Sequence, residues 1–239
     1  MDVDGLWEEL ARSVESALHG YRQRVHSLNV REKADRTLLT DADLAVEQIV
    51  TSAIRTLDPS AVIVAEEDDR TEPRADVLAA PEHVWVVDPI DGTAEFVKPT
   101  SVEFCTVVCL LRRWQPVAAF VLAPELGRDR RPLVITADSI RGVVSVNGRA
   151  AEPPVPGRSR LASVTRSRRA PPPPFEDAMR QAGFTLKTRT TSQTIDMVRT
   201  AVDLRPFTDQ GMTPFSLFYR SQQKVWDGLA GLCLEVLTE

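Results

Sequence analysis

The sequence WVVDPIDGTAEF, residues 85–96, decides the fold and contains the strongest chemical signal in the chain. An apolar run typical of a buried strand reaches Asp88, Pro89 then predicts a turn, and Asp91 follows two residues after the proline. The two carboxylates and the carbonyl of Ile90 can face one point, and such oxygen ligands suit a hard cation. The alternative is purely structural, because an Asp-Pro turn followed by an Asp-Gly turn is common.

Gly92 and Thr93 follow this acidic motif and open a short predicted helix. Their backbone amides lie where the start of a helix would hold a phosphate group. Metal ligands next to an anion-binding backbone are the arrangement used in metal-assisted phosphoryl transfer. The motif therefore predicts a site for a divalent cation and a phosphate ester.

A second group of acids ends another predicted strand, in the sequence AVIVAEEDD of residues 61–69. Consecutive acids repel one another unless cations or solvent compensate their charge. An exposed acidic loop explains Asp68 and Asp69 well. It explains Glu66 less well, because Glu66 directly follows the apolar run and is itself followed by Glu67. Glu66 and Glu67 are therefore candidates for the same site.

Two further acids stand at the starts of predicted helices. Thr40 is a good N-cap, and Asp43 three residues later matches a capping box with Asp in place of the usual Glu or Gln. Asp227 begins the helix of KVWDGLAGLCLEV, where the helix dipole favours an acid in the first turn. Each acid thus has a sufficient structural explanation, and neither explanation excludes catalysis.

The order of helical and strand patterns predicts an α/β fold. We expect an N-terminal half, residues 1–151, with a helix pair and an antiparallel sheet, and a C-terminal α/β half, residues 152–239. A proline-rich passage, residues 153–174, separates them. The predicted helices cover residues 6–21, 40–57, 175–182, 194–202 and 226–237, and the predicted strands include 61–64, 84–87, 105–111, 116–123 and 161–165, with turns at Arg112-Arg113 and Asn147-Gly148.

Composition narrows the class of protein. The chain has 239 residues, 43% of them apolar, and a net charge of −5, so no overall basic field attracts it to a nucleic acid polymer. No apolar run approaches the about 18 residues that a membrane-spanning helix needs. The N-terminus lacks the pattern of a signal peptide, and three cysteines lie in apolar runs. We expect a soluble cytoplasmic protein without membrane contacts.

Taken together, the segments TDAD, AEE, DPIDGT and WDGLAG resemble the motifs of the inositol monophosphatase superfamily, in the same order and at similar spacing. The resemblance implies a layered αβαβα sandwich and a Mg²⁺-dependent phosphomonoesterase that acts on a small phosphorylated metabolite. DGTAEF and SVEFCTVVCLL are most similar to the 3′(2′),5′-bisphosphate nucleotidase branch. A homodimer is compatible with this resemblance.

The resemblance also implies roles for individual residues. Two or three Mg²⁺ ions would activate a water molecule for direct hydrolysis and stabilise the leaving oxygen. Asp43 and Thr93 resemble the pair that orients and deprotonates this water, with help from Glu67, and the Gly92 and Thr93 amides would hold the phosphate. The implied metal ligands are Glu66, Asp88, the Ile90 carbonyl, Asp91 and Asp227; Glu66 also counts among the catalytic residues.

The substrate is less closely defined. The segment before Asp227, FYRSQQKVWD, lacks the acid that contacts the ring in the inositol branch. Thr191-Ser192 stand in the substrate-binding element of the nucleotidase branch, although its lysine is missing. A bisphosphorylated nucleotide is the expected substrate; the alternatives are an inositol phosphate, a specialised sugar or nucleotide phosphate, or an inactive binding protein. Arg166, Arg168 and Arg220 are candidates for binding a second phosphate, and a solvated loop is the alternative explanation for the first two.

Overall fold

The computed structural model describes residues 2–34, 37–68, 81–155, 157–166, 170–209, 211–221 and 223–236. The helices are α1 Asp4–Gln23, α2 Asp41–Leu57, α3 Thr93–Phe96, α4 Glu176–Gln181, α5 Gln193–Ala201 and α6 Val225–Val236. The strands are β1 Val30–Glu32, β2 Leu38–Thr40, β3 Val62–Ala65, β4 His83–Asp91, β5 Cys105–Arg112, β6 Gln115–Ala123, β7 Leu133–Asp138, β8 Val143–Val146, β9 Arg149–Ala150, β10 Leu161–Thr165, β11 Thr185–Lys187 and β12 Leu217–Arg220. None of the helices described is long and apolar enough to cross a membrane.

A seven-stranded sheet in the order β3-β4-β5-β6-β7-β8-β9 forms the centre of the molecule. Strands β3 and β4 are parallel, and the other neighbours are antiparallel. The β5–β6 hairpin turns at Arg113 and Trp114, one residue later than predicted, and both have positive φ, as a tight hairpin turn requires. The predicted turn at Asn147-Gly148 is confirmed and joins β8 to β9.

Alternate residues of the central strands face two separate cores. Trp85 and Val87 pack in the cluster that includes α1 and α2, whereas Val84 and Val86 pack in the cluster that includes α5 and α6. Because both faces are covered, β4 to β6 are apolar along nearly their whole length rather than alternating. The sheet is therefore the second layer of a stack, with a pair of helices on each side.

A smaller sheet completes the layered α/β architecture that the sequence predicts. Strands β11, β10 and β12 are all parallel, with β10 in the middle, and Phe175 beside α4 makes an edge-to-face contact with Tyr219 of β12. The α/β fold class is confirmed. The division into halves at residue 151 stays a prediction, because the helices α5 and α6 share a core with strands β4 to β7 of the large sheet.

The course of β4 differs from the prediction in one respect. The strand does not end at Asp88-Pro89 but continues to Asp91, with a shift in its pairing to β5. Asp88 pairs with Val107 and Asp91 with Cys105, so β4 advances three residues while β5 advances two. This is a β-bulge, which accommodates a proline that has no N–H to donate to the neighbouring strand.

Candidate functional site

Three buried carboxylates meet at the C-terminal end of β4. Asp88 and Asp91 flank the bulge of β4, and Asp227 lies in the first turn of α6. One oxygen from each of them lies within 4.8 Å of the others. Among the described residues, this is the one cluster of three acidic side chains close enough to share a metal ion. We call these three residues the acid centre. It joins positions that are more than a hundred residues apart in the sequence.

Asp88 gives the best test of whether a cation fits this place. Its side chain is 1% exposed, and both of its oxygens find no hydrogen-bond partner in the described part of the chain. Burial raises the pKa of Asp88 well above its usual value, and the nearby charges of Glu66, Asp91 and Asp227 raise it further. A buried carboxylate without donors is costly unless a proton or a cation compensates it. The all-oxygen donor set fits a hard divalent ion.

Asp91 is held by the start of α5. The Ser192 hydroxyl donates to Oδ2 at 2.7 Å, the Thr194 N–H to the same oxygen at 2.6 Å, and the Gln193 N–H to Oδ1 at 3.3 Å. Burial raises the pKa of Asp91, and these hydrogen bonds oppose the rise. Ser192 also caps α5 by accepting the N–H of Ile195. The structure thus places the hydroxyl of Ser192, a predicted substrate-binding residue, on a carboxylate of the acid centre.

Asp227 receives two donors on one oxygen. Gln193 Nε2 lies 2.8 Å and the Lys224 N–H 3.3 Å from Oδ2. Burial, followed by the charges of Asp91 and Glu66, raises the pKa of Asp227 to about 7. Burial and mutual repulsion disfavour ionisation of all three acids together, and a positive charge among them would compensate this cost.

Asp43 combines the two roles that the sequence left open. Its Oδ2 accepts the backbone N–H of Thr40 at 2.7 Å, which completes a capping box at the start of α2. Its Oδ1 accepts the Thr93 hydroxyl at 3.1 Å, and the Ile90 carbonyl lies at the same distance from that hydroxyl. Burial raises the pKa of Asp43 to about 6. The structure therefore brings Asp43, Thr93 and the Ile90 carbonyl together.

Glu66 and Glu67 follow β3, and both bind a lysine that sequence reasoning missed. Lys33 Nζ lies 2.8 Å from Glu66 Oε1 and 2.7 Å from Glu67 Oε1. Burial raises the pKa of Glu67 to about 7, against the opposing effect of Lys33. Glu66 is outside the group of three acids that lie within 4.8 Å, although its charge reaches Asp88 and Asp227. Its predicted role as a metal ligand stays a prediction.

Gly92 lies between the acid centre and α3. Its φ of 94° is a left-handed conformation, and a Cβ at this position would lie 3.0 Å from the carbonyl oxygen of Glu103. A side chain is therefore excluded both by the backbone conformation and by the lack of space. Gly92 is the left-handed N-cap residue through which the chain passes from β4 into α3.

The arginines predicted to bind substrate have different surroundings. Arg166 forms an ion pair with the buried Glu176, which is an internal partner. Arg220 Nη1 donates to Thr190 at 2.7 Å, and its Nε is buried without a partner among the described residues. Burial lowers the pKa of Arg220, against the opposing charges of Asp227 and Asp91. Thr191 accepts a hydrogen bond from Lys187 at 2.6 Å, and Arg168 lies outside the described residues.

Comparison with known proteins identifies the family. The model of the inositol monophosphatase family matches residues 3–235, and the chain belongs to that family. Over 118 residues it is 33% identical to the 3′(2′),5′-bisphosphate nucleotidase CysQ of Escherichia coli (strain K12), a match that spans 49% of this chain and 46% of that protein. The aligned segment thus covers about half of this chain and less than half of that relative.

Solved structures support the fold over the whole chain. A staphylococcal inositol monophosphatase-1 in an inhibitory complex from a LiCl soak has a TM-score of 0.78, with 18% identity, and the match covers 100% of this chain and 82% of that one. An IMPase/NADP phosphatase complexed with NADP and Ca²⁺ has a TM-score of 0.76 at 18% identity, covering 99% of this chain and 82% of that one. Because the sequence identity is only 18%, the structural similarity establishes the layered fold alone.

Proposed function

We propose that this protein is a Mg²⁺-dependent phosphomonoesterase that hydrolyses a small phosphorylated metabolite. The observation that carries the proposal is the acid centre, in which three buried carboxylates converge and Asp88 has no hydrogen-bond donor among the described residues. Membership of the inositol monophosphatase family supports it. Glu66, Asp88, the Ile90 carbonyl, Asp91 and Asp227 would hold two or three Mg²⁺ ions. When bound, these ions supply positive charge to the phosphate oxygens and to the leaving oxygen.

In the proposed reaction, Thr93 and Asp43 orient the attacking water and remove its proton. The Thr93 hydroxyl donates to Asp43 Oδ1 at 3.1 Å, so its oxygen is free to accept from a water molecule. As that water attacks phosphorus, its proton passes to Thr93 Oγ1 while the Thr93 proton passes to Asp43. The ester P–O bond breaks, and the leaving oxygen departs with the electron pair of that bond and takes up a proton from solvent to give the alcohol. A pKa of about 6 suits Asp43 to act as a base near neutral pH. Glu67 would assist from the other side of the site.

The backbone at Gly92 would orient the phosphate. Gly92 has a left-handed conformation, and successive backbone amides next to such a residue can bind an anion, so the Gly92 and Thr93 amides would hold the phosphate. Because a Cβ would collide with the Glu103 carbonyl, only glycine permits this approach. The phosphate group would then lie between these amides and the acid centre.

A bisphosphorylated nucleotide is the substrate that we favour. The CysQ of Escherichia coli, which is named a 3′(2′),5′-bisphosphate nucleotidase, is 33% identical over the matched half. Arg220 is half-buried, feels the charges of Asp91 and Asp227, and has an unpartnered Nε among the described residues. A guanidinium that is already desolvated binds a phosphate more strongly than an exposed one. Ser192, Thr191, Arg166 and Arg168 stay predicted contacts, as do a homodimeric assembly and a cytoplasmic location.

A substrate panel tests the proposal. We expect a higher kcat/KM for 3′-phosphoadenosine 5′-phosphate than for inositol 1-phosphate or a nucleoside monophosphate, with Mg²⁺ required throughout. Arg220→Met should raise KM for the bisphosphate by about 10-fold or more relative to the monophosphate, because a charge-assisted fork is lost. Arg112→Met is the control, since Arg112 is an exposed arginine that pairs with Glu82 and has no proposed role in the site.

Three outcomes would count against the proposal. A preference for inositol 1-phosphate would overturn the nucleotide assignment and leave the phosphatase activity standing. Equal effects of Arg220→Met on both substrates would remove Arg220 from substrate recognition. No phosphate release from any of these compounds at saturating Mg²⁺ would favour an inactive binding protein.

A further inference from the structure

Gln193, the first residue of α5, contacts two members of the acid centre. Its backbone N–H donates to Asp91 Oδ1 at 3.3 Å, and its side-chain Nε2 donates to Asp227 Oδ2 at 2.8 Å. Asp91 ends β4 and Asp227 lies in the first turn of α6, so a single residue links carboxylates from two separate elements.

The orientation of the Gln193 amide is set by Asp227. The side chain is 9% exposed, and its Oε1 is buried with no hydrogen-bond partner in the described chain. Rotating the amide by half a turn would place Oε1 against a carboxylate oxygen, which is an unfavourable contact between two acceptors. A residue placed here only for packing would be apolar, because a half-satisfied buried amide costs stability. The donated hydrogen bond therefore explains the glutamine.

The hydrogen bonds to Asp227 leave one particular oxygen for a ligand. Gln193 Nε2 and the Lys224 N–H both donate to Oδ2, and no hydrogen bond to Oδ1 is found among the described residues. With Oδ2 fixed in this way, the carboxylate cannot rotate freely, and Oδ1 is the oxygen left for a ligand. Outer-shell hydrogen bonds of this kind orient metal-binding carboxylates in other proteins.

We propose that Gln193 is a positioning residue for the cation site, holding Asp227 so that its Oδ1 is available to a divalent ion together with Asp88 and Asp91. This role rests on the proposed function, because it requires that the acid centre binds a cation. It does not require any particular substrate. The role belongs to the N–H donor of the side chain, not to its volume.

The test measures cation binding without substrate, using Mn²⁺ followed by electron paramagnetic resonance and Mg²⁺ followed by titration calorimetry. Gln193→Met keeps the length of the side chain and removes the donor, and we expect the dissociation constants to rise about 10- to 100-fold. Gln193→His keeps a ring N–H at a similar distance from the backbone and should retain most of the affinity. Gln48→Met is the control, because Gln48 is an exposed amide on α2 that donates to Ser52.

Unchanged Mn²⁺ and Mg²⁺ affinity in Gln193→Met would overturn the positioning role alone. Equal losses in Gln193→Met and Gln193→His would also overturn it, since they would point to packing instead of hydrogen bonding. If Gln193→Met does not fold, near wild-type affinity in Gln193→His still supports the role, and a large loss there contradicts it. Failure of the wild-type protein to bind either ion would overturn both this inference and the proposed function.

Discussion

Two groups of charged residues meet at the first turn of α5, and they differ in how their charge is compensated. In the acid centre, no hydrogen-bond donor to Asp88 is found among the described residues, and burial raises the pKa values of Asp88, Asp91 and Asp227. In the second group, which we call the ion network, Lys187 Nζ lies 2.5 Å from Asp196 Oδ1 and 3.1 Å from Glu103 Oε2. Among the described residues, no Lys or Arg forms an ion pair with the acid centre, whereas Lys187 supplies a positive charge to the ion network.

The difference shows how to separate structural from functional charges. Ser163 donates to the other oxygen of Asp196 at 2.7 Å, so that carboxylate is satisfied within the chain. Burial alone would raise the pKa of Glu103, but Lys187 holds it below its usual value. A buried ion network that is satisfied internally serves the fold, whereas buried acids without a counter-charge indicate a site for a ligand.

The largest expected effect comes from removing a charge of the acid centre. Asp88→Asn should lower kcat/KM by more than about a hundredfold. Loss of a residue that only orients a metal ligand costs up to about a hundredfold, and Asp88 would bind the cation directly. The metal-free protein should be equally stable or more stable, since an uncompensated buried charge disappears. Steady-state kinetics and chemical denaturation in EDTA measure the two quantities. Near-normal turnover at saturating Mg²⁺ would remove Asp88 from the cation site.

Breaking the ion network should affect stability instead. Lys187→Met removes the ion-pair partner of the buried Asp196 and of the partly exposed Glu103, and we expect the free energy of unfolding to fall by about 3 kcal/mol. Urea denaturation of the metal-free protein measures this loss. Adding Asp196→Asn to the Lys187→Met variant removes the unpaired negative charge and should recover part of the lost free energy of unfolding. A loss well under 1 kcal/mol would show that the ion network does not stabilise the fold.

The acid centre should also make stability depend on pH and Mg²⁺ together. The pKa values of Asp43 and Asp227 rise from 3.8 to about 6 and about 7 on folding, so the metal-free folded state binds more protons than the unfolded state in this range. Its stability should therefore fall as the pH rises from about 4 to about 7. Bound Mg²⁺ replaces the protons and should offset the fall.

Thermal melting with EDTA and with Mg²⁺ across this pH range checks the prediction. The difference in Tm between the two conditions should widen with rising pH. A constant difference would mean that these carboxylates do not bind the ion. The ion network offers the comparison, because Lys187→Met should lower Tm in both conditions alike.

The smallest effect is expected at an exposed ion pair. Arg112 lies 3.1 Å from Glu82, and the two side chains are 49% and 55% exposed. Arg112→Ala should change the free energy of unfolding by no more than about 0.5 kcal/mol, because solvent screens such a pair. Denaturation of this variant provides the baseline for the two buried groups. A loss comparable to that of Lys187→Met would show that burial does not explain the difference.

Much of the fold follows from local patterns in the sequence. The helices α1 and α2, the strands around DPIDGT and the alternation near the C-terminus all lie close to their predicted positions, because apolar periodicity and turn residues act over short distances. The capping box of Thr40 and Asp43 was likewise visible as a spacing of three residues. The bulge at Pro89 was not predicted, since it depends on the pairing of β4 with β5.

The sequence by itself determined which residue types were available for chemistry: the acids at the ends of two strands, the glycine after Asp91 and the acid at the start of α6. Only the tertiary structure decided their partners. It placed Lys33 between Glu66 and Glu67, directed Gln193 to Asp227 and paired Arg166 with Glu176. The physical reason is that side chains distant in sequence acquire their charge and hydrogen-bonding environment only when packing buries them together.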